Sequence, residues 1–254
     1  MSDYFFDQSP ERRRLAALAV LHDADTFDHL ARVGVSEGWH CLEIGTGGGS
    51  VARWLAARVG STGRVVATDL EPRGLDDLVA AGIEVRRHDI GRQPMEERAF
   101  DLVYARAVLQ HVPQRGDALR RMAAALRPGG VLLVEDPLPP HPAGYPAVPV
   151  WGRILAALEH QMRRGGADPY IGLQLASLFR ELGLSNVDSA ARVSLMHSGT
   201  PAAEFLTLTL EQVGHRLVEA GAVTAEEIAA LTATFQSPGC TITNAIMIAT
   251  WGTA

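Results

Sequence analysis

The run Cys41-Leu42-Glu43-Ile44-Gly45-Thr46-Gly47-Gly48-Gly49-Ser50 decides the fold. It follows a Gly38-Trp39-His40 turn, opens as an apolar strand and leads into Val51-Ala52-Arg53-Trp54-Leu55-Ala56, a helical pattern. Glu43, Gly45, Gly47 and Gly49 spell E-x-G-x-G-x-G. Glycines suit a strand-to-helix turn because positive φ costs them little and the missing Cβ lets a ligand approach the backbone. Working outward, Arg64-Val65-Val66-Ala67-Thr68-Asp69 reads as the next strand. It ends in an acid about 20 residues past the last glycine, a spacing suited to ribose hydroxyls. A strand-loop-helix-strand unit with that acid in register points to a nucleoside cofactor.

The choice of nucleoside turns on two positions. A dinucleotide loop of the form G-x-G-x-x-G would place its third glycine at 50, where this chain has Ser50. Glu43, two residues before the first glycine, suits a ligand with a cationic end better than a pyrophosphate, since like charges repel at short range. Both features disfavour an NAD-dependent oxidoreductase. A phosphate-binding P-loop is excluded because no Gly-Lys-Ser/Thr follows the glycines.

Strand and helix patterns then alternate: strands at 40–45, 64–69, 83–88, 100–105 and 130–135, helices at 50–59, 73–80 and 115–126. Such alternation with short connections predicts right-handed crossovers and a parallel, doubly wound α/β sheet. Its ligand should lie at the carboxyl ends of the strands, where Glu43, Asp69, Asp89, Arg106 and Asp136 all fall. Before the first strand, residues 10–33 carry a helical rhythm with a break near Asp23 to Thr26. Two helices are expected there, with Asp25 or Thr26 capping the second, placed as a lid or packed on the sheet edge. Residues 137–149 are proline-rich and exclude helix and central strand. Helical patterns resume at 150–163 and 171–182, then strand 187–195, helices 201–220 and 224–235, and strand 241–251.

Further segments carry a resemblance. They are Thr68-Asp69-Leu70-Glu71-Pro72, Val85-Arg86-Arg87-His88-Asp89-Ile90, Phe100-Asp101-Leu102-Val103-Tyr104-Ala105-Arg106 and the turn and strand from Leu126-Arg127-Pro128-Gly129-Gly130 to Glu135-Asp136. With the glycine loop they span about residues 35–137, and in this order the chain resembles class I S-adenosylmethionine-dependent methyltransferases. The nearest flavour is the small-molecule branch typified by ubiquinone and menaquinone biosynthesis enzymes. The resemblance implies a Rossmann-like sheet of seven strands, mostly parallel with the last antiparallel, under a helical N-terminal lid. It implies S-adenosylmethionine as cofactor, held by Glu43, Gly45, Thr46, Gly47, Gly49, Asp69, Leu70, Asp89, Ile90 and Arg106. It also implies that residues 1–137 form lid and cofactor core, that 138–182 form a helical substrate cap inserted after the fifth strand, and that 183–254 complete the core.

Composition narrows the partners. Of 254 residues, 47% are hydrophobic and 20% charged, enough apolar content for a full core. A net charge of −6 opposes a polyanion, so nucleic acid is excluded as substrate. The Arg-rich spots at 11–14, 86–87 and 163–164 read as solvated faces. Only Cys41 and Cys240 are present, no zinc spacing occurs, and Glu135-Asp136 is too small an acidic group for Mg²⁺, so no metal is expected. The first residues lack a signal-peptide apolar region and no run is long enough to span a bilayer, so a cytoplasmic monomer or homodimer is expected.

Methyl transfer from a sulfonium needs alignment and exclusion of water more than it needs catalytic side chains. Arg106, beyond the fourth strand, is a candidate for holding an anionic group or for pairing with a carboxylate such as Asp136. His111, in Val108-Leu109-Gln110-His111-Val112-Pro113, is a candidate base or a structural histidine. Tyr145, Trp151 and Tyr170 offer aromatic surface for an apolar or aromatic acceptor. The rival reading from sequence is a cofactor-binding protein that transfers no methyl, a cyclase or a partner subunit.

Overall fold

The computed structural model describes residues 11–139 and 149–254. Its strands are β1 (His40–Ile44), β2 (Arg64–Asp69), β3 (Glu84–Arg87), β4 (Phe100–Arg106), β5 (Leu126–Leu138), β6 (Ser185–His197) and β7 (Thr241–Thr253). They form one sheet in the order β3-β2-β1-β4-β5-β7-β6. The first five pair in parallel, and β7 lies antiparallel between β5 and β6. The expected seven-stranded, mostly parallel architecture is what is found. The strand order reverses between β1 and β4, so the crevice for a ligand opens there, above the glycine loop.

The helices are α1 (Glu11–Arg32), α2 (Ser50–Val59), α3 (Asp76–Ala80), α4 (Arg115–Ala125), α5 (Pro149–Arg164), α6 (Leu175–Glu181), α7 (Pro201–Glu219) and α8 (Ala225–Gln236). Period-two alternation along the strands feeds two cores. Cys41, Val65, Leu102, Tyr104 and Leu133 pack against α2 and Leu30 of α1. Leu42, Val66, Val103, Leu132 and Val134 pack against Leu119 and Met122 of α4. Strands buried on both faces read as the near-continuous apolar runs seen in the sequence.

A third core lies off the sheet. Trp151 and Ile154 of α5 pack with Leu206, Leu210 and Val213 of α7 and with Leu231 and Phe235 of α8. The segment 171–182, expected as one helix, is a short 3₁₀ turn at Ile171–Leu173 followed by α6. Ile171, Leu175 and Phe179 insert into the core on the α4 face.

Three further expectations need correction. Residues 11–32 form one continuous helix, not two, because Asp23, Asp25 and Thr26 spend their side chains on tertiary partners instead of capping. α3 starts at Asp76, not at 73, since Gly74 with φ +67° breaks the turn before it. Pro137 belongs to β5, paired with Met247. β4 pairs no further than Glu135, so a missing donor at Pro137 is tolerated beside an open side. Residues 140–148, with Tyr145 and His141, lie outside the described residues. Among the described residues no helix is long and apolar enough to cross a membrane.

Candidate active site

The glycine loop is anchored to its neighbour strand. The Gly45 and Thr46 amides both donate to the Thr68 carbonyl, at 2.8 and 2.9 Å. Gly45 has φ +70°, and a Cβ there would stand 2.4 Å from Val108 Cγ2. Gly49, at φ +75°, begins α2, and a Cβ would stand 2.7 Å from Leu78 Cδ1. A side chain at either position would be strained and crowded, so glycine is strongly favoured. The Gly47 amide donates to Asp69 Oδ2 at 3.0 Å and the Glu71 amide to Oδ1 at 3.1 Å, which aims the Asp69 carboxylate back over the loop. Each oxygen keeps acceptor capacity for a further bond.

Glu43 sits beneath the loop, buried, and accepts the Thr46 hydroxyl at 2.8 Å. Burial pushes its pKa up to about 7; the Thr46 bond and the Arg106 charge oppose that, while Asp69 and Asp23 add to it. An approaching cation would favour its ionised form. At the next strand end, Asp89 accepts the Gly91 amide at 2.9 Å. Ile90 is buried in the core on the α4 face, and Leu70 stands 41% exposed at the end of β2.

α1 crosses above these strand ends. At Gly47 a Cβ would stand 3.2 Å from Leu15 Cδ2, so Leu15 rests on the loop. Further along, Asp23 accepts Ser50 Oγ at 3.1 Å and Arg106 Nη2 at 2.9 Å. Thr26 Oγ1 accepts Arg106 Nη1 at 2.9 Å and donates to Glu135 Oε2 at 2.6 Å. Glu135 also accepts the Tyr104 hydroxyl at 2.7 Å and meets His29 Nδ1 at 2.7 Å. Burial works against its charge, yet the bonds from His29, Thr26 and Tyr104 hold its pKa below the usual carboxylate range. Arg106 thus pairs with Asp23 of α1 and not with Asp136. His22, one turn before Thr26, is buried, and burial with the Arg106 charge lowers its pKa to about 4.

His111 ends a 3₁₀ turn, Leu109–His111, after β4. Burial and then the Arg14 charge lower its pKa to about 4, so it is neutral at neutral pH. Asp136 accepts the Gln110 amide of that turn at 3.2 Å. Arg14 departs from the solvated reading of its Arg-rich run: it is 5% exposed, held by Glu11 at 2.8 and 2.6 Å and stacked over Phe205 of α7.

The structure therefore brings Glu43, Gly45, Thr46, Gly47, Gly49, Asp69 and Arg106 together at the ends of β1, β2 and β4. Of the aromatic candidates, Trp151 and Tyr170 stand elsewhere. Trp151 is buried in the third core, edge-on to Phe235 at 5.4 Å, and its indole nitrogen has no hydrogen-bond partner among the described residues. The Tyr170 hydroxyl donates to Glu159 at 2.8 Å and its ring lies under Arg163. The sequence reading missed His22, Asp23, Thr26 and His29. Their signal was present: polar residues at 22, 26 and 29 recur on one helical face, where apolar residues would be expected. Among the described residues no group of His, Cys, Asp or Glu side chains is arranged to hold a metal ion.

Comparison with known proteins finds a family model that matches the segment carrying this site. Residues 42–134 match the model described as a methyltransferase domain. The chain is 31% identical over 137 residues to methyltransferase GfsG of Streptomyces halstedii, covering 50% of this chain and 48% of that protein. It is 33% identical over 141 residues to the ubiquinone/menaquinone biosynthesis C-methyltransferase UbiE of Laribacter hongkongensis, covering 50% and 58%. The matches thus span about half the length of these relatives. In structure it is similar to the [4+2]-cyclase SpnF, with a TM-score of 0.57 at 18% identity over 90% of this chain and 79% of that one. The resemblance carried by the motifs holds: residues 42–134 carry a methyltransferase domain on a Rossmann-like fold.

Proposed function

We propose that this chain is an S-adenosylmethionine-dependent methyltransferase acting on an O, N or C atom of a small, apolar or aromatic metabolite. One observation carries the reading: a glycine loop lined by Glu43, Asp69 and Asp23 lies at the switch point beneath α1. That acidic lining suits a cationic ligand and repels a pyrophosphate. When bound, the cofactor supplies an activated methyl for in-line transfer. The chain's own residues bind and orient. Asp69 accepts the ribose hydroxyls, Asp89 the adenine amino group, and Leu70 offers the base an apolar contact. Glu43 with Thr46 and Arg106 with Asp23 set the charge around the methionine end, and α1 excludes water. His111, neutral, lines the acceptor side.

The acceptor is met above the strand ends, by α1 and by the cap that α5 forms with α7 and α8. Trp151 fixes α5 from within that cap and Tyr170 closes its end. The experiment is a pair of measurements. S-adenosylmethionine and S-adenosylhomocysteine should raise the melting temperature by binding the native state, and NADH should not. Cofactor-loaded protein incubated with metabolite extracts should then add the mass of one methylene to an acceptor. The reverse ligand ranking overturns the reading. Cofactor binding with no mass gain in any extract favours the non-methylating alternative.

A further inference from the structure

His22 is the one titratable side chain on the inner face of α1 that the interactions described so far leave without a task. Leu15, His22, Thr26 and His29 recur along that face at helical intervals. Leu15 rests on Gly47, and Thr26 bonds both Arg106 and Glu135. At 1.5 Å of rise per residue, His22 lies about 10 Å along the helix from Leu15 and about 6 Å before Thr26. Its neighbour Asp23 ties the helix to Ser50 at the start of α2 and to Arg106 at the end of β4. His22 thus falls between the point where α1 touches the glycine loop and the point where it is tied to the end of β4, beside the crevice where the reacting groups meet in the function proposed above. It is 5% exposed.

We propose that His22 supplies the hydrogen-bonding group that faces the transferred methyl, and that it selects acceptors presenting a hydroxyl, amine or carbonyl to an imidazole nitrogen. This rests on the methyltransferase reading and adds a specificity-determining residue to it. The ring is kept neutral, first by burial and then by the Arg106 cation, with Glu135 opposing. A neutral imidazole offers one donor and one acceptor nitrogen, so it can orient either kind of polar group. Beside Arg106 an imidazolium is costly, so His22 aligns the acceptor and does not store its proton.

The test needs no knowledge of the acceptor. Sinefungin carries an amine where S-adenosylmethionine carries the transferred methyl; S-adenosylhomocysteine carries nothing there. Both are titrated calorimetrically into the full chain and into His22→Phe and His22→Asn. His22→Phe should weaken sinefungin at least about tenfold while S-adenosylhomocysteine stays within about twofold. His22→Asn, which keeps an amide in reach, should recover part of the sinefungin affinity. Equal loss of both ligands, or no change in either, overturns the proposal. Should His22→Phe not fold by circular dichroism, His22→Asn decides alone: intermediate selectivity supports it and wild-type selectivity overturns it. If wild-type protein binds neither ligand, the methyltransferase reading itself falls; if it binds both with unaltered selectivity in the variants, only the role of His22 does.

Discussion

Glu135 and Asp136 are neighbours in the chain, and β5 turns them to opposite faces of the sheet. Both are almost fully buried. On the α1 face Glu135 collects the Thr26 and Tyr104 hydroxyls and His29, and its pKa falls despite burial. On the other face Asp136 holds the turn that carries His111 through the Gln110 amide, and its second oxygen has no hydrogen-bond partner among the described residues. There burial prevails and pushes its pKa up to about 7. Equal burial thus goes with pKa shifts in opposite directions, and the supply of donors decides between them. The α1 face keeps a charge, which the helix needs as an anchor; the opposite face carries a carboxyl that is protonated below neutral pH.

The strongest way to break this contrast is Glu135→Ala. It strips an acceptor from Thr26, Tyr104 and His29 and leaves Arg106 with one buried counter-charge fewer. Unfolding in urea should show a loss of about 3–5 kcal/mol. A loss under about 1 kcal/mol would mean that the network does not hold α1.

Asp136→Asn tests the other face, with a defined sign. A raised carboxyl pKa contributes stability that is complete below its ordinary pKa and is lost as pH rises through about 7. Between pH 5 and pH 8 the wild type should therefore lose on the order of 2 kcal/mol that the Asn variant keeps. Parallel pH profiles would show that Asp136 titrates normally.

Glu43 sharpens the comparison as a third buried carboxylate, poised at about 7 and short of donors. A bound cation should make it behave like Glu135. Affinity for S-adenosylmethionine should rise roughly tenfold from pH 6 to pH 8, with proton release on binding near pH 6, and Glu43→Gln should flatten both. Calorimetry in buffers of different ionisation enthalpy reads this directly. The smallest effect belongs to Tyr104→Phe, which removes one of the donors to Glu135: about 1 kcal/mol by urea titration. A neutral result there would place the weight on Thr26 and His29.

The parts of the molecule legible from sequence are those whose chemistry is local. Gly45 and Gly49 announce positive φ, and Asp69 announces a strand end, from their immediate neighbours. The β1–β5 pattern follows from apolar periodicity. What escaped depends on partners far along the chain. Thr26 reads as a helix cap because its role, bridging Arg106 and Glu135, involves residues 80 and 109 positions away. Arg14 reads as solvated because Phe205, which it covers, is on α7. Trp151 reads as a ligand platform because its neighbour Phe235 lies on α8.

The place of β7 has a consequence for the order in which the molecule is made. Among the described residues β6 has a single neighbour in the sheet, and that neighbour is β7, which follows it in the chain. β7 is also the partner β5 needs on its outer side. During synthesis the parallel unit from β1 to β5 can assemble as it emerges, but β6 waits with both edges unpaired until β7 slides in beside it. The sheet is therefore closed by a strand inserted between two earlier ones, and the interval before that insertion is when exposed strand edges make the nascent chain most prone to aggregate.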